Sequence, residues 1–304
     1  MKGAERGRLL SEQRRAGRWV ALRQPLDLGR RIGARPDGLI SGLVLALVIL
    51  AATLAPILAQ YDPVITHEDA IAKAPSGRFL LGTDIHGRDL LARLLYGARV
   101  SLVIAFAAVG LGTTTGAVLG LVSGYLGGAF DKVSQRILEI LMAVPSFILA
   151  MMVVFALGGG VIAVIVAIGM TRIATVGRVI RGLTLSIKEE QFVEAARAIG
   201  ASRTRIIMWH VAPQAVPAFI VMTTLHFSVA ILTESSLSFL GIGVSPVYPT
   251  WGNVLAGAFQ GGRLSPEWWV VVFPGLIITI VVLCFNLLGD ALRDVWDPRL
   301  RGRI

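Results

Sequence analysis

The chain has 304 residues, of which 55% are hydrophobic and only 16% are charged, and its mean hydropathy is +0.72. This composition excludes an ordinary soluble globular domain and favours a chain whose main solvent is lipid. The net charge of +10 does not indicate a nucleic-acid partner, because the basic residues flank apolar runs and form no stripe with interleaved aromatic residues.

Residues 1–38 are predicted to form a basic cytosolic N-terminal tail. Ten lysines and arginines lie between Met1 and Arg35, and the first apolar run begins too late and is too long for an ordinary cleaved signal peptide. The stretch GRWVALRQPLDLGRRI mixes apolar residues with arginines, as an interfacial helix in the lipid headgroup region does. A disordered basic tail fits the same stretch, and the sequence leaves both hypotheses open.

Five apolar runs follow the tail. A helix needs about 20 apolar residues to cross the hydrocarbon core, because only its own backbone hydrogen bonds replace those of water there. Four runs fit one crossing each, and they are Leu39–Ala59, Val100–Gly124, Gln214–Leu240 and Trp268–Leu288. The fifth, Ile140–Met170, is too long for one comfortable span and is interrupted by Pro145 and by the glycines at 158–160. It fits either one tilted helix or two short helices.

Positive charge favours two helices in this run, because loops on the cytosolic side collect lysine and arginine. Six spans place all but six of the 29 basic residues on the side of both termini, including the group from Arg172 to Arg205. One helix instead of two would move that group and the C-terminal tail outside. The sequence therefore predicts an all-α integral membrane protein with six transmembrane helices in residues 39–290, a cytosolic C-terminal tail in residues 291–304, and both termini in the cytosol.

The second span carries glycines at four-residue spacing, in the stretch GTTTGAVLGLVSG. These glycines share one helix face, and they are Gly112, Gly116, Gly120 and Gly124. Small residues in such a row let another helix approach to backbone contact. We expect a tight helix packing contact inside the bundle, with a surface that slides during gating as the alternative.

A charged insert, residues 187–213, joins the fourth and fifth spans and is predicted to lie in the cytosol. Its apolar residues recur at helical spacing, at Phe192, Ala195, Ala196 and Ile199. Gly200 is expected to end this helix, and Ser202 to cap a second helix that runs to Pro213. Two short helices outside the membrane, too polar for lipid and too regular for a loop, are typical of a docking element for another protein.

Within the insert, EAARAIGASRTRIIMWHVAP resembles the EAA loop of permease subunits in bacterial ATP-binding-cassette importers. The residues that fall on its pattern are Glu194, Ala195, Ala196, Gly200 and Pro213. Two positions depart from it, since His210 replaces an isoleucine and Ala212 a leucine. The resemblance implies that the insert is a coupling helix, which fits into a cleft on a cytosolic ATPase.

Three more stretches resemble the C-type permease of the dipeptide, oligopeptide and nickel importer family, so that the resemblance runs from about Leu39 to Leu300. They are LLGTDIHGRDLLARLLYGARVSL, SSLSFLGIGVSPVYPTWGNVL and FPGLIITIVVLCFNLLGDALRDVWDPRL. The resemblance implies a non-catalytic subunit of a bacterial inner membrane transporter. It also implies a second, homologous permease, two ATPase subunits that carry ATP and magnesium, and an extracytoplasmic substrate-binding protein. We expect no cofactor on this chain, which has no GxxxxGK[ST] phosphate loop.

Other chemistry has weaker signals. The single cysteine, Cys284, excludes an intrachain disulfide and a Cys-rich metal site. The four histidines, His67, His86, His210 and His226, are far apart and form no HExxH motif. His86 beside Asp84 and Asp89 is the one candidate nickel ligand, but GTDIHGRD is read more simply as a turn tied by Asp and Arg hydrogen bonds, so no metal site is expected.

Glu234 is the only acid within the predicted spans, where an ionisable group is costly and faces a partner or an aqueous path. Both a contact inside the bundle or at the permease interface and a role in gating or substrate binding stay open. The favoured function is half of a heterodimeric pore for di- or oligopeptides, with nickel, glutathione or another small solute as alternative substrates. An ATP-independent secondary transporter or a membrane scaffold is the alternative function, although no paired interrupted segments indicate inverted repeats.

Overall fold

The structure is a computed structural model, which describes residues 36–260, 263–264 and 267–296. Most of the basic N-terminal tail and residues 297–304 lie outside the described residues, and so does the interfacial helix expected in that tail. The α-helices are α1 Pro36–Thr53, α2 Ala55–Leu58, α3 Leu90–Leu126, α4 Gly128–Ala143, α5 Ser146–Ala156, α6 Gly160–Ile187, α7 Gln191–Ala198, α8 Arg203–Ile206, α9 Ala212–Phe239, α10 Trp251–Ala256 and α11 Trp268–Trp296. A two-stranded antiparallel hairpin, β1 Phe259–Gln260 and β2 Arg263–Leu264, precedes α11.

The membrane-spanning part is all-helical, as predicted. Within the described residues, five helical stretches are long and apolar enough to cross a membrane, and a sixth crossing is available if α4 and α5 together make one. The five stretches are Pro36–Thr53, Leu90–Leu126, Gly160–Ile187, Arg203–Phe239 and Trp268–Val295. The helices exceed the predicted apolar runs at several ends: α3 begins ten residues before Val100, and α11 continues through residues 291–296, which were assigned to the C-terminal tail.

The run Ile140–Met170 is broken twice. The glycines at 158–160 all have positive φ and separate α5 from α6, so the break expected there is confirmed. A second break lies at Pro145, because the residue before a proline is pushed out of the helical region, and Val144 has ψ of 131°. The helices α4 and α5 therefore meet at 95°, and α5, with 11 residues, is too short to cross a membrane alone.

The helices α3 and α6 pack side by side and run in the same direction. Positions from Gly112 to Gly124 on α3 contact positions from Gly169 to Thr184 on α6 in increasing order. An added Cβ at Gly116 would lie 2.7 Å from the Ile173 carbonyl oxygen. Parallel neighbours need a connection that returns to the starting end, and α4 with α5 is that return.

The two ends of the bundle differ. The insert end carries residues 188–211, and the opposite end carries residues 59–89 together with the loop from 240 to 250 and α10. The main apolar core is built from side chains of α1, α3, α5, α6, α9, α10 and α11. A separate small cluster lies under the insert, so the insert is packed onto the bundle rather than suspended from it.

The expected stop at Pro213 is wrong. Chain 203–239 is one continuous helical stretch, in which a π-helical turn at Ile207–Val211 joins α8 to α9. A proline removes one N–H and clashes with the carbonyl four residues earlier, which is Trp209 in this case. A π turn widens the helix at that point, and Pro213 then lies in the first turn of α9, where proline is tolerated.

Candidate functional site

The insert folds as the short helix α7, a turn, and the start of the long stretch through α8 into α9. Glu190 precedes α7 as its N-cap residue, and Gly200 leaves it with φ of +77°. Ser202 caps α8, where its hydroxyl oxygen accepts a hydrogen bond from the Arg205 N–H at 3.4 Å. The turn depends on Gly200, because only glycine adopts this left-handed conformation without strain.

One face of the insert is buried against the bundle. Val193 and Ala196 on α7 pack with Ile206 and Val211, and the cluster contacts Leu121 and Tyr125 at the end of α3. The apolar contact joins α7 to the membrane helices, so the element can transmit a displacement rather than absorb it.

Polar contacts reinforce this attachment. The Arg197 guanidinium donates to the Lys188 carbonyl oxygen at 3.3 Å and lies 5.5 Å from the centre of the Tyr125 ring. The Lys188 ammonium donates in turn to the Gly124 carbonyl oxygen at 3.4 Å. Basic groups at the carbonyl ends of α3 and α6 are favourable to both helix dipoles, and here they bind the two helix ends to α7.

Several apolar side chains of the insert are uncovered. Ile199 is 85% exposed and Trp209 is 76% exposed, and Phe192 and Met208 also lie at the surface. Ala195 lies between Phe192 and Ile199 in the chain. Large aromatic and aliphatic side chains without cover are the residues that protein interfaces bury, and we call this set, Phe192, Ala195, Ile199, Met208 and Trp209, the insert surface.

Glu194 stands beside the insert surface and is exposed. It lies in the first turn of α7, where a carboxylate is favoured by the helix dipole, but α7 has no side-chain capping hydrogen bond. Among the residues that the structure describes, its carboxylate has no hydrogen bond or ion pair. The Glu194 carboxylate therefore does not cap α7, and it is available to a basic group of a partner.

The glycine row lies along the α3–α6 contact and ends at the insert. An added Cβ at Gly120 would lie 2.5 Å from the Gly177 carbonyl oxygen, and one at Gly124 would lie 2.8 Å from the Thr184 Cβ. Gly112 faces the Gly169 carbonyl in the same way. Beside the α3–α6 contact, Arg181 of α6 donates two hydrogen bonds of 2.6 Å to the Asp131 carboxylate of α4.

Glu234 lies far from the insert, near the opposite end, and is fully buried. Its carboxylate accepts hydrogen bonds from the Ser101 hydroxyl of α3 and the Ser238 hydroxyl, both at 2.9 Å. The Trp251 backbone N–H donates to the same Ser101 hydroxyl at 3.3 Å, and Gly252 packs onto the Ser235 backbone. The acid thus joins α3, α9 and α10, a set of contacts within one chain that favours a structural role.

The stretch GTDIHGRD forms a cap on the opposite end. Asp84 accepts hydrogen bonds from the backbone N–H groups of His86 and Arg88, both at 2.9 Å, and from the Arg88 side chain at 2.8 Å. Asp89 caps α3 by accepting from the Ala92 N–H at 2.8 Å, and burial raises the pKa of its carboxyl. The described residues hold no group of three or more metal-ligating side chains.

The four histidines are not brought together. His67 packs against Tyr61 and Phe79 in the cap, with ring centres 5.1 and 5.4 Å apart, and His210 lies in the π turn at the other end. His226 lies in the middle of α9. The helix α9 packs against α6, and the structure places Arg172 inside α6, whereas the sequence analysis counted it among the basic residues on the cytosolic side.

Comparisons with known proteins agree with this geometry. Residues 116–302 match the family described as "Binding-protein-dependent transport system inner membrane component". A putative peptide transport system permease protein of Brucella suis is 40% identical over 90% of this chain and 91% of its own length. The dipeptide transport system permease protein DppC of Alkalihalophilus pseudofirmus is 38% identical over 86% of this chain and 85% of its own. The glutathione transport system permease protein GsiD of Escherichia coli O1:K1 is 39% identical over 91% of each chain.

A solved structure has the same fold. An inward-facing form of the MetNI methionine ABC transporter superposes with a TM-score of 0.55 at 19% identity, covering 67% of this chain and 97% of the compared chain. At that identity the likeness supports the helical arrangement and nothing about the solute.

Proposed function

Since the chain belongs to the family of inner membrane components of binding-protein-dependent transport systems, we propose that it forms half of a heterodimeric pore for di- or oligopeptides. It is a multi-pass protein of the inner membrane and a permease subunit of an ATP-binding-cassette importer. Its family works with ATPases and binding proteins. The specific composition, one homologous permease, two cytosolic ATPase subunits and one extracytoplasmic binding protein, is part of the proposal.

The observation that carries the proposal is the insert surface on a rigidly attached element. Val193 and Ala196 fix α7 to the ends of α3 and α6, while Phe192, Ala195 and Ile199 remain uncovered on its other face. A partner that closes around this surface moves three helices at once, because α9 is continuous with the insert. ATP binding on the partner then closes the cytosolic side of the pore, and the chain itself performs no hydrolysis.

Six crossings with both termini in the cytosol are part of the proposal, and the direction of the helices supports them. Because α3 and α6 run parallel and both end at the insert, α4 and α5 together return the chain across the membrane. The insert end then carries Lys188, Arg197, Arg203 and Arg205, as the cytosolic side of a membrane protein requires.

Peptide is the favoured solute class because the compared permeases are named for peptides, dipeptides and glutathione, which is itself a peptide. Nickel and other small solutes remain alternatives. Secondary transport, the other function class, gives no reason for an exposed apolar surface on a cytosolic element.

The test uses the whole complex, co-expressed with its neighbouring ATPases and binding protein and reconstituted in liposomes. The double variant Phe192→Asp with Ile199→Asp, and separately Glu194→Lys, should lose the ATPase subunits on purification and lose ATP-driven dipeptide uptake at normal membrane levels. Ile71→Asp, which replaces an exposed apolar residue of the cap, is the matched control and should retain the ATPases. Uptake driven by an ion gradient without ATPases would replace the proposal with secondary transport.

A further inference from the structure

Arg172 lies near the middle of a membrane-spanning helix. It is 12 residues from the start of α6 at Gly160 and 15 from its end at Ile187, or about 18 Å and 22 Å at 1.5 Å per residue. Only 7% of its surface is exposed. A cation at this depth is costly and is typical of a functional contact.

No acid neutralises Arg172 within the described residues. Its Nε donates to the Thr171 hydroxyl at 3.0 Å, and no carboxylate oxygen lies within ion-pair distance. Arg181, two to three turns further along the same helix, is by contrast held by Asp131. The buried acid of α9, Glu234, is occupied by Ser101 and Ser238, so it is not a partner for Arg172.

The helix α9, which packs against the helix of Arg172, supplies further buried polar atoms without partners. The buried Nε2 of His226 in α9 has no hydrogen-bond partner among the described residues. Thr223 lies one turn before His226 on α9, and its buried hydroxyl is also unpartnered. Gly112 of α3 packs directly against the base of the Arg172 side chain, since an added Cβ there would lie 2.9 Å from the Arg172 Cβ.

The chemistry of this set fits an anion. A guanidinium offers a planar pair of N–H donors that matches a carboxylate, and a hydroxyl and a neutral imidazole can each donate one more hydrogen bond. A divalent cation such as nickel has the wrong sign for the same position. Buried donors are normally hydrogen-bonded, and the hydroxyl and the imidazole Nε2 of this cluster lack a partner among the described residues.

We propose that Arg172, together with His226 and Thr223, binds a carboxylate of the transported solute midway across the membrane. The proposal rests on the proposed peptide-importer function and narrows it to solutes that carry a free carboxylate. The site holds the solute during passage, after the binding protein has released it.

The experiment places a single thiol at the site. Cys284→Ala removes the one native cysteine, and Arg172→Cys in that background is reconstituted with the ATPases and binding protein. Dipeptide uptake should fall at least tenfold and recover when the thiol is modified by a cationic ethylammonium methanethiosulfonate reagent. The anionic sulfonate reagent of similar size should not restore it, and excess dipeptide should slow the modification.

Controls separate charge from structure. Gly182→Cys lies on the same helix, exposed and with open space around it, and its modification should leave uptake independent of reagent charge. If Arg172→Cys does not assemble, Arg172→Lys and Arg172→Gln are compared at equal membrane levels, and Lys should retain more uptake than Gln.

Four outcomes overturn the proposal: unchanged uptake, no modification in any nucleotide state, equal rescue by both reagents, or equal loss with Lys and Gln. Rescue by the cation without protection by dipeptide also overturns it, in favour of a carboxylate from the second permease. Failure of the proposed function is distinct, because the unmodified complex would then show no ATP-driven dipeptide uptake at all.

Discussion

Positions 200 and 120 both require glycine, but for different physical reasons. Gly200 has φ of +77° and open space around a Cβ, so a side chain there would be strained by the backbone alone. Gly120 has ordinary helical geometry, but a Cβ would lie 2.5 Å from the Gly177 carbonyl oxygen of α6. The first position determines the shape of the insert, and the second determines how closely two helices approach.

At Gly200, we expect Gly200→Val to weaken the insert without displacing any neighbour. A β-branched residue in the left-handed region costs about 1–2 kcal/mol, which shifts the turn rather than unfolding the bundle. Asparagine tolerates this region, so Gly200→Asn should retain most of the ATPase association that Gly200→Val loses. Pull-down of the ATPases at equal permease levels measures both, and equal behaviour of the two variants would show that backbone conformation does not matter here.

The N-capping role of Asp89 at the start of α3 can be tested by comparing an alanine variant with the isosteric asparagine variant. Asp89→Ala removes the acceptor for the Ala92 N–H and should cost about 1 kcal/mol of stability. Asp89→Asn keeps an acceptor. Because burial raises the pKa of Asp89 above its ordinary value of 3.8, the folded protein binds the proton more tightly than the unfolded chain, so wild-type stability should rise as pH falls through the raised pKa toward that ordinary value. Thermal unfolding of the purified complex, followed from neutral pH down to the ordinary aspartate pKa, should show that gain in the wild type and not in Asp89→Asn.

Arg172 shows where residue-level inference from the sequence stopped short. The apolar run ended at Met170, so the next residues were read as cytosolic. A helix that begins after the glycines at 158–160 needs about 20 residues to cross the membrane, and that length would have carried the span past Arg172. The signal was present in the spacing, but one arginine among apolar residues interrupted the hydropathy pattern.

Among the helices, the parallel pair α3 and α6 makes a close backbone contact inside the bundle. The four-residue glycine spacing on α3 predicts that another helix approaches it closely. The sequence does not identify α6 as that helix, because α6 contributes only Gly169 and Gly177 to the contact, with bulkier residues between them. The direction of packing and the 95° bend at Pro145 depend on tertiary contacts, which no local pattern records.

At this contact, Gly120→Val should destabilise the permease by about 1–3 kcal/mol, as overpacking of a tight contact does. Gly110→Val is the matched control, since Gly110 lies on the same helix, is exposed, and has no atom within 4 Å of an added Cβ. Thermal stability in detergent distinguishes the two variants. If both have the wild-type unfolding temperature, the two helices are not in backbone contact in the assembled protein.

The insert and α9 illustrate a second element that sequence reasoning divided wrongly. The second helix of the insert was expected to run only to Pro213, with the fifth span beginning after it. The π turn at Ile207–Val211 instead accommodates the proline, and such turns have no sequence signature of their own. The helical spacing that located α7 and the cap at Ser202 needed only local information, and both were found.

For the whole molecule, topology gives the most direct test. In the Cys284→Ala background, Thr204→Cys should react with impermeant thiol reagents only from the cytosol, and Ala74→Cys only from outside. Both residues are exposed, so a failure to react is not a matter of burial. Labelling of intact cells and of inverted vesicles measures the two sides, and the reverse pattern would exclude six crossings with cytosolic termini.

The continuous helical stretch Arg203–Phe239 has a consequence for how the two faces of the membrane communicate. Its 37 residues span about 55 Å, from the insert surface to the buried Glu234 that binds α3 and α10 under the cap. If binding events at the two ends of this helix are coupled, the coupling free energy has the same size and sign whichever ligand binds first. If a binding protein docks at the cap and nucleotide acts through the insert, the binding protein should change nucleotide affinity by the same factor by which nucleotide changes the affinity for the binding protein, so measuring one coupling factor predicts the other.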